Sequence, residues 1–145
     1  MSRWVIRLLD LLFRREIIGL RCQKPYLIRW VVYRRKNGAG LYIHRFIGDD
    51  SADSHDHPKH FTSIGICGSY DEEVFEPEHR WVHHRAPWFR SFPPSHRHRI
   101  CLIDEQPVWT IVKVSRELHD WGFYTDDGWV DWRDYRPGED LRRDS

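Results

Sequence analysis

The chain has 145 residues, enough for one domain with a sizeable core, and 23 basic against 22 acidic residues leave a net charge of +1. That balance sets up no overall field toward nucleic acid or an anionic membrane, and no apolar run is long enough to span a bilayer. Three cysteines, Cys22, Cys67 and Cys101, form no paired pattern; with no signal peptide in view, they predict reduced thiols and a cytoplasmic protein, with Cys67 and Cys101 buried in apolar strand runs.

Residues 3–18 read as an amphipathic helix. Ser2 can cap it, Val5, Leu8, Leu9 and Leu12 recur at helical spacing, and Gly19 is a plausible stop. Arg7, Asp10 and Arg14 take other faces. A basic amphipathic helix can lie on a membrane, but the expectation is that this one packs on a barrel or on a partner subunit. From Tyr26 to Arg34 the chain turns to β-branched and aromatic residues, Asn37-Gly38 supplies a hairpin turn, and Leu41 to Ile47 returns. Tyr42, His44 and Phe46 share one face of that second strand, and Leu41, Ile43 and Ile47 the other. Both faces are apolar, as where one lines a barrel and the other is covered. His44 is a candidate substrate contact, with a hydrogen-bonded packing role as the alternative.

An acidic loop, residues 48–54, delivers the chain to His55-Asp56-His57-Pro58-Lys59-His60-Phe61. Two histidines one residue apart point the same way on extended backbone, and neutral imidazoles are common ligands for iron, copper, nickel and zinc. Asp56 falls on the opposite side, where it can orient a neighbouring imidazole or, as is expected, be solvated, and His60 is out of phase. Downstream, Pro93-Pro94-Ser95-His96-Arg97-His98 can bring a third imidazole from another strand. These two segments resemble the paired motifs of the cupin superfamily, over roughly residues 41 to 115. His55, His57 and Gly68 match the first motif, with Phe61 where the family has Glu. Pro93, Ser95 and His98 fall on the second, with Ser95 in place of Gly.

The resemblance implies an all-β double-stranded β-helix, a cupin or jelly-roll barrel, with the helix appended at its N-terminus. It also implies a metal held by His55, His57 and His98. With no carboxylate at Phe61 the set is three neutral imidazoles, as in some cupin dioxygenases. One divalent transition metal per chain is expected, with Fe(II) favoured and Zn, Mn or Ni as alternatives. The expected activity is oxidation of a small polar or anionic metabolite. A non-catalytic binding module and a Zn- or Mn-dependent isomerase are the competing readings.

Beyond Gly68, Asp71, Glu73 and Phe75 alternate, so Glu73 is a candidate fourth ligand or general base if that face turns inward, and otherwise a solvated residue. Trp81, His83 and Arg85 alternate with Val82 and His84, which predicts a strand whose cations suit an anionic substrate, with Arg85 or Arg90 as the clamp. Trp88 and Phe89 read as core. His96 is a fallback ligand or proton carrier. Residues 108–115 form the most aliphatic strand. Asp126-Asp127-Gly128 turns an aromatic hairpin, Trp121 to Tyr135, similar to tryptophan-rich endings of small cupin-like proteins of phages and bacteria. The divisions are then 1–20, helix; 21–135, barrel; 136–145, a disordered polar tail. A small-molecule ligand and a second copy in a homodimer are the expected partners.

Overall fold

The computed structural model describes residues 2–19, 24–51 and 53–136; Cys22 and the tail from 137 lie outside them. Two six-stranded antiparallel sheets face each other. The first has the order β1 (Arg14–Ile18), β2 (Leu27–Arg34), β3 (Gly40–Phe46), β10 (Val108–Val114), β5 (Phe61–Cys67), β8 (Trp88–Phe92). The second runs β12 (Gly128–Asp131), β11 (Gly122–Thr125), β4 (Ser54–His55), β9 (His98–Leu102), β6 (Ser69–Val74), β7 (Arg80–Arg85).

The period-2 pattern of these strands separates an inner from an outer face. Tyr70 and Ile100 of the second sheet meet Val108, Phe46 and Trp88 of the first between the sheets. Tyr42, Val112 and Val114 form a second inner cluster with Phe61. Trp88 lies where a side chain at position 65 would stand, a Cβ there falling 2.2 Å from its ring, so glycine is required. Gly38 sits at φ +87 in the β2–β3 turn, as its Asn-Gly sequence predicts.

The helix is shorter than its periodicity suggests. α1 spans Arg3–Leu12, Phe13 is extended, and residues 14–18 are β1. Ser2 holds the N-cap position without a side-chain cap bond. β1 pairs along its full length with β2, and Glu16 takes Arg29 and Arg34 across that ladder, so tertiary pairing overrides a continuing helical pattern. α1 covers the outer face of the first sheet, where Val5, Ile6 and Leu9 pack on Trp30 and Trp109, whose rings stack at 5.5 Å. Phe89, expected in the core, is exposed, and so is Cys67; Cys101 is half-buried. Phe89 and Cys67 lie on the strand faces that point away from the interior.

Candidate metal centre

β4 is two residues long and exists to carry His55, which is the direct cross-strand partner of His98 at the start of β9. His57 follows in the loop, so two segments 41 residues apart in sequence deliver three imidazoles to one place. One ring nitrogen from each of the three lies within 4.8 Å of the other two. The Nε2 atoms of His57 and His98 are 2.9 Å apart. Two imidazoles bound at right angles to one ion, with bonds of about 2.1 Å, would place their nitrogens about 3.0 Å apart.

Burial, reinforced by the neighbouring imidazoles, holds His55 and His57 well below the usual histidine range, and burial lowers His98 despite the opposing pull of Glu72. All three are therefore neutral at pH 7, the form that coordinates a cation.

Glu72 fixes which nitrogen of His98 is free. It is completely buried on β6. Its Oε1 accepts from His98 Nδ1 at 2.5 Å and His96 Nε2 at 2.8 Å, and its Oε2 from His84 Nε2 and Arg90 Nη2, each at 2.7 Å. Burial alone would raise this carboxyl, but the bonds from His84, His96 and His98 outweigh it and keep it ionised far into acid. With Nδ1–H committed to Glu72, His98 turns its Nε2 lone pair toward His57. His96, Glu72 and His98 also lie close enough to form a second candidate cluster. A carboxylate already accepting four donors has little capacity left for an ion, so that cluster is read as a hydrogen-bond hub.

The expected inward face of β6 is out by one residue. Tyr70, Glu72 and Val74 point inward, whereas Glu73 bonds His79 and Arg99 on the other side and cannot reach the imidazoles as ligand or base. The signal was present in the sequence, because Tyr70-x-Glu72-x-Val74 alternates with apolar residues as an inward strand should. Arg85 also turns outward, exposed beside Ile66, Cys67 and His83 in a surface groove of about 470 Å³, which excludes it as a clamp at the three imidazoles. Arg90 is at the site, but its charge is met by Glu72 and it donates to the Tyr70 hydroxyl. His44 lies inside the barrel between Tyr42 and Phe46, with Nε2 unpartnered, beside the equally unpartnered Thr110 hydroxyl. His60 is exposed and outside the group.

Asp56, expected in solvent, is buried and tethers the aromatic hairpin: Oδ1 accepts from the Gly122 amide, Oδ2 from the Tyr124 hydroxyl and Trp129 Nε1. The hairpin in turn sets Phe123 and Trp121 against His55. Phe61, stacked on Phe92, lies 4.7 Å from the His57 ring, so the position that a family carboxylate would hold is an apolar wall. Asp50, which sequence reasoning passed over, is buried with Oδ2 3.6 Å from His55 Nε2; burial pushes its carboxyl up to about 8.

No family model matches the chain, and no curated protein matches it in sequence. Solved structures do. A cupin-2 domain protein of Rhodospirillum rubrum superposes with a TM-score of 0.60 at 11% identity, over 79% of this chain and 78% of its own. A double-stranded β-helix protein of Klebsiella pneumoniae gives 0.54 at 18% identity, over 79% and 92%. The Fe(II) form of HppE gives 0.55 at 12% identity, over 70% of this chain and 57% of that longer one. At such identities the likeness establishes architecture: the chain is a cupin by fold, a double-stranded β-helix.

Proposed function

We propose that this protein is a mononuclear metal-dependent cupin in which His55, His57 and His98 hold a divalent transition metal, and that it is an Fe(II) oxygenase of a small polar metabolite. The observation that carries the reading is the convergence of three neutral imidazoles, one of them oriented from behind by a buried carboxylate. An all-imidazole donor set suits iron, nickel, copper or zinc, and iron is favoured among them because one structural neighbour is an Fe(II) protein. Bound there, the metal would supply open positions for dioxygen and a chelating substrate.

The chain's own residues do the rest. Glu72 keeps the proton on His98 Nδ1 and its lone pair on Nε2. His96, bonded to the same carboxylate oxygen and half-buried, is the group best placed to pass a proton between that hub and solvent. Phe61, Phe92, Phe123 and Trp121 surround the imidazoles with apolar rings that restrict water. Arg90 is neutralised by Glu72, so a neutral polar substrate fits the site better than a strongly anionic one.

Elemental analysis of untagged protein, purified without added metal, tests the first part: about one transition metal per chain is expected. His98→Ala should lose it, and full occupancy in that variant would remove the proposed centre. Dioxygen uptake by the Fe(II)-loaded protein with fractionated metabolites tests the second part. A metal-loaded protein that consumes no oxygen would leave an isomerase or a binding module.

A further inference from the structure

The near-zero net charge conceals a strong asymmetry. Residues 1–36 contain 10 basic and two acidic residues, a charge of +8, while residues 37–145 contain 13 and 20, a charge of −7. Both acids of the basic segment are engaged within it: Asp10 by Trp30 Nε1 and Arg15, Glu16 by Arg14, Arg29 and Arg34.

α1 begins this segment, and it has more apolar surface than the barrel uses. Val5, Ile6 and Leu9 face the Trp30–Trp109 cluster. A second apolar stripe, Trp4, Leu8, Leu11 and Leu12, is 76%, 55%, 84% and 61% exposed. At 3.6 residues per turn the two stripes together cover an arc of roughly 220°, where packing on one surface needs only about 100°. Arg3 and Arg7 border the outer stripe, and the Arg7 guanidinium lies 5.8 Å from the Trp4 ring. Tryptophan, leucine and arginine on one short helix match the boundary between acyl chains and headgroups.

We infer that the outer face of α1 is a docking surface for an anionic lipid bilayer, with Trp4, Leu8, Leu11 and Leu12 entering the headgroup–acyl boundary and the surrounding arginines meeting lipid phosphates. Charge decides between occupants. A second copy docked across a two-fold axis would bring Arg3 and Arg7 of one helix against those of the other, whereas anionic headgroups supply their counter-charge. Nucleic acid would meet the charge but gives four exposed apolar side chains nothing to bury in. This inference goes beyond the metal site and does not depend on it.

Flotation of the full chain with phosphatidylcholine vesicles, alone or with about one third phosphatidylglycerol, tests it. Binding is expected only to the anionic vesicles and should weaken as salt rises. Leu8→Glu with Leu11→Glu should abolish it with an unchanged melting curve, both positions being exposed. Arg3→Gln with Arg7→Gln should weaken it about thirty-fold. Equal binding to neutral vesicles, or none to anionic ones, overturns the inference. So does a concentration-dependent dimer broken by the same leucine pair, which assigns the face to a second copy. Oligonucleotide binding that survives the leucine pair, without vesicle binding, overturns it in favour of nucleic acid.

Discussion

Glu72 carries four hydrogen bonds on two oxygens inside a barrel, and one of them sets the tautomer of His98. A carboxylate behind a ligating imidazole fixes the ring and strengthens its free nitrogen, and losing such a partner costs about 10–100-fold in metal affinity. Glu72→Gln keeps the shape but has no charge to hold three N–H donors and a guanidinium. Its metal affinity, measured against a competing chelator, should fall within that range, while Glu73→Gln on the outer face should leave affinity unchanged. An equal loss in both variants would show that the distinction between the two faces of β6 is wrong.

At the scale of elements, the centre depends on a hairpin far away in sequence. Asp56 sits between His55 and His57 and holds β11 and β12 through the Gly122 amide, the Tyr124 hydroxyl and the Trp129 indole. Three donors lose their partner when this buried side chain is removed, at about 1–3 kcal/mol for each unsatisfied group, so Asp56→Ala should destabilise the fold by about 3 kcal/mol or more. It should also weaken metal binding, because the hairpin supplies the rings beside His55; denaturant titration and chelator competition measure the two effects. The motif histidines and most strands were legible from alternation. β1 was not, because Arg14–Ile18 continues a helical repeat and its strand character comes from pairing with β2. Glu72 was legible in principle from Tyr70 and Val74, but the acidic run Asp71-Glu72-Glu73 obscures the phase. Asp56 was misread because a polar residue on the far side of a ligand pair looks solvated until a hairpin from position 122 onward covers it.

For the whole molecule, buried histidines govern the pH dependence. His44 is lowered to about 3 by burial, and His55, His57 and His98 are lowered as well. Below the ordinary histidine value of 6.5 the unfolded chain takes up protons that these four folded sites refuse, so stability is lost as pH falls from there. Asp50 works the other way: raised to about 8, it holds a proton when folded that the unfolded chain releases above 3.8, so its contribution is lost as pH rises through 8. Four groups outweigh one on the acid side, and Asp50 acts alone near pH 8. Calorimetry of metal-free protein should find the highest melting temperature near neutrality, with a steeper decline toward pH 5 than toward pH 8. A flat profile across that acid limb would contradict the burial of these imidazoles. What overall composition could not reveal was the sorting of charge along the chain, since +8 and −7 in separate stretches average to almost nothing.

The tether from Asp56 to the hairpin also orders events on the ribosome. Residues 55 and 57 emerge early, residue 98 only after some forty more have been added, and the amide and indole that seat Asp56 follow at 122 and 129. A nascent chain therefore exposes an isolated pair of imidazoles long before the walls around them exist. The walls around the imidazoles are complete only once the aromatic hairpin has been made, so a cation held there would be a late guest of a nearly finished barrel rather than a nucleus for its folding.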